Sequence, residues 1–236
     1  MTEEAPSNVR RICLAIDACG YSSAGDQRQV TFQKAIESIM KAATANAHLD
    51  RASWIVQHTG DGEVSVLPEH ENEARVVDDL VRHIVTELRR FNADRIESAR
   101  LRLRMSVHYG RLSRTATGFA GPTPVQTVRL LDSAPLRTAL ADNARSALAL
   151  IVSEGIFLDN IAPGHTTLQP RDFRKVRVAE KEFTGHAWMW VAPAESVDTA
   201  PETGAASAPP SESSASYVFH GPVTNSGDHT TFGPRY

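Results

Sequence analysis

Two cysteines, Cys13 and Cys19, are all the thiols in 236 residues, and both fall near the first expected strand. So few thiols build neither a disulfide framework nor a structural zinc site, and a reducing cytoplasm is the expected setting. No apolar run approaches the roughly 20 residues of a membrane span. The opening stretch, Met1-Thr2-Glu3-Glu4-Ala5-Pro6-Ser7, lacks the charged and apolar regions of a signal peptide. Charge of one sign is missing too: a net charge of −3 leaves no nucleic-acid footprint and no attraction to a membrane surface. There is no internal repeat. What remains is an ordinary composition, 41% hydrophobic and 22% charged, in a chain long enough for one sizeable core plus a tail, or for two small domains.

The most informative stretch is Trp54-Ile55-Val56-Gln57-His58-Thr59-Gly60-Asp61-Gly62-Glu63-Val64-Ser65-Val66-Leu67. Two β-prone runs flank Gly60-Asp61-Gly62, which predicts a hairpin over 53–67 with Asp61 projecting at its tip. A second acid, Asp17, closes the apolar run over 10–17. Two carboxylates on stiff strand ends suit a hard divalent cation, although an Asp-Gly turn is by itself a common structural device.

Residues 1–9 read as a loose arm. Phe32, Ile36, Ile39, Met40 and Ala43 recur at helical spacing between 27 and 47. Asn72 is placed to cap a second helix with a stripe from Val77 to Phe91. Residues 99–109 alternate: Leu101, Leu103, Met105, Val107 and Tyr109 on one side, Arg100, Arg102, Arg104, Ser106 and His108 on the other. The simplest reading of that arginine row is a solvated face, with a nucleotide or partner contact as the lesser alternative. Gly110 is expected to end this strand. A helix over about 123–140, an apolar strand over 147–152 followed by a turn capped by Ser153, and strands near 173–180 and 185–192 complete the domain, with Trp188 or Trp190 in the core or on a dimer surface. The expected class is an α+β sandwich with helices on one face of the sheet. After Pro193, 194–216 is rich in Ala, Ser, Pro, Glu and Thr and reads as a disordered linker. The β-prone segment 217–236 is expected to add strands to a protein partner's sheet edge or to remain a loose terminus.

At this point four blocks resemble the class III adenylate and guanylate cyclases. Ile16-Asp17-Ala18-Cys19-Gly20-Tyr21-Ser22 is similar to their opening D-x-x-G-[FY]-[ST], and His58-Thr59-Gly60-Asp61-Gly62 to their G-D-G hairpin. Arg104-Met105-Ser106-Val107-His108-Tyr109-Gly110 resembles their G-I-H-x-G strand, and Gly121-Pro122-Thr123-Pro124-Val125-Gln126-Thr127-Val128-Arg129-Leu130 their G-x-x-V-N-x-A-x-R-L helix start. The blocks keep the family's order over roughly 10–193. The resemblance implies a ferredoxin-like cyclase catalytic domain acting as a homodimer on a nucleoside triphosphate. It implies two divalent metal ions, Mg or Mn, held by Asp17 and Asp61, and a charge-stabilising Arg129. It also implies that the backbone of Ala18, Cys19 and Gly20, in the motif ending at Tyr21, faces the phosphates.

The departures are as telling. Gln57 stands where the family has its base-reading lysine, and Gly118 where it has the companion acid. Val125 replaces the ribose-orienting asparagine and offers no hydrogen bond. Three functions follow from this pattern. One is a cyclase with a non-standard base preference, conceivably for pyrimidines as in antiphage (antiviral) signalling cyclases. Another is a cyclase-like domain that binds a nucleotide or a protein without turnover. The third is a purely structural domain in which the aspartates have no chemistry.

Overall fold

The computed structural model describes residues 8–115 and 118–194. Its elements run β1 (Asn8–Ala18), α1 (Asp26–Asn46), β2 (Ile55–His58), β3 (Gly62–Val66), α2 (Glu73–Val77), α3 (Asp79–Asn92), β4 (Leu103–Thr115), β5 (Gly118–Ala120), α4 (Pro122–Leu131), α5 (Ala134–Asp142), β6 (Leu148–Ser153), α6 (Glu154–Ile156), β7 (Arg174–Glu180) and β8 (Phe183–Val191). The strands make one sheet in the order β2-β3-β1-β4-β6-β8-β7, with β5 paired to β4. Among the described strands only the β4–β6 pairing is parallel. This is the expected mixed α+β architecture with an antiparallel-rich sheet.

The alternation along β1 explains the layers. Ile12, Leu14 and Ile16 pack with Phe32, Ile36 and Met40 of α1 and with Leu80, Ile84 and Leu88 of α3. Ala15 faces the other way, into a second cluster with Leu130 and Leu131 of α4 and Leu136 and Leu140 of α5. Helices therefore cover both faces, not one. The cause is visible in β6, where Leu148, Ala149, Leu150, Ile151 and Val152 are all fully buried. A strand apolar on both sides needs cover on both, each large side chain contributing about 1.5–3 kcal/mol when buried.

Several boundaries differ from expectation for local reasons. β1 begins at Asn8, so it takes the last two residues of the expected arm. Asn72 does cap α2, its side chain accepting from the Arg75 N–H at 3.1 Å. The expected single helix nevertheless breaks at Asp78, whose carboxylate accepts from the backbone N–H and hydroxyl of Thr167, both at 2.7 Å. β4 does not stop at Gly110 but runs on to Thr115. Gly110 is needed there for a different reason, since a Cβ would lie 2.5 Å from Thr123 Oγ1 of α4. The helix expected over 123–140 divides at Asp132 and Ser133, with Pro135 opening α5. Ser153 precedes α6 without a side-chain capping bond. Trp188 stacks on Phe157 with ring centroids 3.7 Å apart, and Trp190 is buried, so both tryptophans belong to the core. Among the described residues no helix is long and apolar enough to cross a membrane. The rest of the arm and the tail from residue 195, with the expected linker and β-prone segment, lie outside the described residues.

Candidate active site

Asp17 sits at the C-terminal end of β1 on the face covered by α4, and only 6% of it is exposed. Its register partners are Gly62 of β3 on one side and Arg104 of β4 on the other. Arg104 grips it with a two-pronged guanidinium: Nε donates to Oδ1 at 2.9 Å, and Nη2 donates to Oδ2. Burial pushes the Asp17 carboxyl up to about 6 although Arg104 draws it down, and the charges of Asp61 and Asp132 raise it further. Burial alone would lower Arg104, but the Asp17 carboxylate raises it and keeps it protonated.

The hairpin brings the second acid beside the first. The Ala18 N–H donates to Asp61 O at 2.8 Å, and Thr59 Oγ1 donates to Asp61 Oδ1 at 3.1 Å. Asp61 is half-buried at the turn. Gly62 cannot be replaced there: a Cβ would fall 1.8 Å from Ile16 O, inside the backbone of β1. Gln33 of α1 donates to Gly60 O and to the Tyr21 hydroxyl, both at 2.8 Å, tying the turn to the helix and to the β1–α1 loop. Tyr21 thus has a bracing role in the scaffold.

The loop after β1 differs from the phosphate-facing backbone that the resemblance implies. The N–H of Ala18 is committed to Asp61 O, and that of Cys19 to Arg102 O at 2.8 Å. Among the described residues the N–H groups of Gly20, in the left-handed region at φ 73°, and of Tyr21 have no backbone or side-chain acceptor.

Gln57 pairs with Val64 across β2–β3, and Val64 pairs with Ala15, so Gln57 lies one row from Asp17 on the same face. It is exposed. Gly118 opens β5, and Val125 is 53% exposed on α4. Arg129 is not drawn to the aspartates. Its Nη2 lies 3.7 Å from Glu182 Oε2 in the β7–β8 turn, and among the described residues its buried Nε has no hydrogen-bond partner.

The arginine row is not the solvated face expected of it. Arg104 holds Asp17, while Arg102 donates to the carbonyls of Ser146 at 2.9 Å and Asn143 at 2.8 Å and to that of Leu140, closing the end of α5. Ser106 Oγ donates to Thr127 O of α4 at 2.8 Å, and burial lowers the pKa of His108. α4 and α5 cover these residues, and the alternating pattern cannot distinguish a face covered by polar contacts from a wet one. The residue beside Asp17 that the sequence reading did not single out is Arg104, which binds its carboxylate. The signal for Arg104 was its place opposite Asp17, visible only once β1 and β4 are paired.

Among the described residues no group of three or more His, Cys, Asp or Glu side chains gathers into a metal-holding cluster. Two adjacent carboxylates are nevertheless a fitting donor set for Mg²⁺, which takes one or two protein carboxylates and completes its shell with phosphate oxygens and water.

No protein-family model matches the sequence, and no curated protein sequence does. Solved structures do match by fold. An adenylate/guanylate cyclase/hydrolase from Silicibacter pomeroyi superposes with a TM-score of 0.58 at 18% identity, over 80% of this chain and 99% of that one. The guanylyl cyclase Cya2 gives 0.56 at 14% identity, over 83% and 98%. The guanylate cyclase domain of RhGC from Catenaria anguillulae, in complex with GTP, gives 0.52 at 10% identity, over 79% and 97%. With one sheet, a hairpin-borne aspartate beside a strand-end aspartate and matching solved folds, the chain is a divergent domain with the class III adenylate/guanylate cyclase fold.

Proposed function

We propose that this chain is a nucleotidyl cyclase that converts a nucleoside triphosphate to a 3′,5′-cyclic monophosphate and pyrophosphate. The observation that carries this reading is the side-by-side placement of Asp17 and Asp61 at one sheet end, locked by Gly62. These two residues would hold divalent cations, Mg²⁺ or Mn²⁺. When bound, such ions lower the pKa of a ribose hydroxyl and neutralise phosphate charge. Asp17 and Asp61 supply anionic oxygens, Gly20 and Tyr21 supply N–H donors, and Gln57 offers one donor and one acceptor to a base. Gln57 in place of a lysine supports a base preference other than adenine, pyrimidines included. Arg129 faces Glu182 rather than the aspartates of its own chain, which supports a site completed by a second copy. The flank over β2 and β3 supplies the surface, since half-buried Ile55 and Phe119 border a groove of about 250 Å³ there.

The second reading, nucleotide or protein binding without turnover, is favoured by Val125, which cannot orient a ribose. Incubation of the protein with each of the four NTPs and Mn²⁺ or Mg²⁺ separates the two. Cyclic product from at least one NTP, reduced at least 100-fold by Asp61→Ala, is the expected result. Nucleotide binding with no product from any NTP would establish the second reading instead.

A further inference from the structure

Two glutamines one turn apart on α1 hold the loop after β1 and the hairpin tip. Gln29 Nε2 donates to Tyr21 O at 3.2 Å and to Ala24 O at 3.0 Å. Gln33 Nε2 donates to the Tyr21 hydroxyl and, across 27 positions of sequence, to Gly60 O, both at 2.8 Å. Both hydrogens of that amide are thereby committed. α1 is a firm support for them, because Phe32 and Ile36 on either side of Gln33 are buried in the core. Gly60 O belongs to the planar peptide unit whose nitrogen is that of Asp61. The peptide on the other side of Asp61 is held by the Ala18 N–H, which donates to Asp61 O at 2.8 Å. Asp61 is thus pinned through both of its flanking peptide planes, although its neighbours are glycines, Gly60 and Gly62, the most permissive of backbones.

We propose that Gln33 is a positioning residue for Asp61: by fixing the Gly60–Asp61 peptide from α1, it holds the Asp61 carboxylate in place at the turn. Two peptide planes together determine where a Cα stands and which way its Cβ leaves it. Releasing one lets the turn pivot on the other, and with Gly60 as the adjoining residue little resists the pivot. A carboxylate that must meet a cation to within about half an ångström loses affinity when its Cβ wanders. Because the same amide also holds the Tyr21 hydroxyl, the loop after β1 and the hairpin tip share one support. Gln33 acts through Asp61 alone, without touching the cation, and its role rests on the reading of Asp61 as a cation ligand.

The test takes two readouts on the full 236-residue chain. One is amide hydrogen exchange at Ala18; the other is Mn²⁺ binding, followed by electron paramagnetic resonance without nucleotide. Gln33→Met keeps the length of the side chain and removes both donors. It speeds exchange of the Ala18 N–H about three- to tenfold, the worth of one exposed hydrogen bond, and weakens Mn²⁺ binding by a similar factor. Gln29→Met is the control, since it also removes two bonds from the same helix face but none to the hairpin. It leaves Mn²⁺ affinity within about twofold of the native protein. Equal losses of affinity in the two variants would reduce Gln33 to a general brace, and affinity unchanged in Gln33→Met would remove it from the site; each overturns the proposal. Native protein that binds no Mn²⁺, or binding untouched by Asp61→Ala, would bring down the cation reading itself, and the positioning role with it, even where Ala18 exchange responds to Gln33→Met.

Discussion

Asp17 is a carboxylate held in two opposing fields, burial raising its pKa and Arg104 lowering it, and burial wins at about 6. The sign of the resulting pH dependence follows directly. Below about pH 6 the group carries a proton and is a poor cation ligand, whereas an ordinary Asp would stay ionised two units lower. Mn²⁺ affinity should therefore be steady from pH 8 to 7 and fall up to tenfold per unit below about 6, as calorimetric titration at pH 7.5, 6 and 5 would record. Affinity unchanged down to pH 5 would refute the raised value. Asp17 and Asp61 were legible in the sequence because each ends or turns a β-prone run. Arg104 was not, because its partner is 87 residues away and only pairing of the strands makes them neighbours. That the Ala18 and Cys19 N–H groups are already paired was hidden for a similar reason, since their acceptors, Asp61 O and Arg102 O, are distant in sequence.

Elements were legible where periodicity ran unbroken, as in α1 and the β2–β3 hairpin, and obscured where one side chain interrupts a pattern. Asp78 splits α2 from α3 through its bonds to Thr167, a residue far along the chain. No local propensity encodes that break. Gly62 illustrates the reverse, a turn residue whose local identity carries a long-range demand. The Asp-Gly pair announces a hairpin, yet the glycine is required by the β1 backbone passing within 1.8 Å of any Cβ. Gly62→Ala should therefore cost about 3 kcal/mol or more, beyond the usual range for turn changes, because backbone must separate. A thermal melt lowered by less than 3 °C would show that β1 and β3 part without penalty. Gly60, whose nearest neighbour to a Cβ is the Tyr21 ring at 3.8 Å, makes the internal comparison.

For the whole molecule, the unevenness of helical cover matters most. One face is sealed by α1 and α3; the other is sealed by α4 and α5 over the sheet centre, while Ile55, Val66 and Phe119 flank an open groove at the β2 side. If a second copy covers that flank, Ile55→Arg should turn a dimer into a monomer in sedimentation at micromolar concentration while moving the thermal midpoint little, because Ile55 is half-buried in the single chain. A dimer unaffected by that change would relocate the interface. The sheet also has a temporal consequence. β1 joins β3 between Asp17 and Gly62 but joins β4 between Asp17 and Arg104, nearly twice as far along the chain, and the longer-range pairing is the slower to close. Until it closes, Asp17 has its neighbour on the hairpin but not its arginine. In order of synthesis both acids, Asp17 and Asp61, precede Arg104, the guanidinium that pairs with one of them.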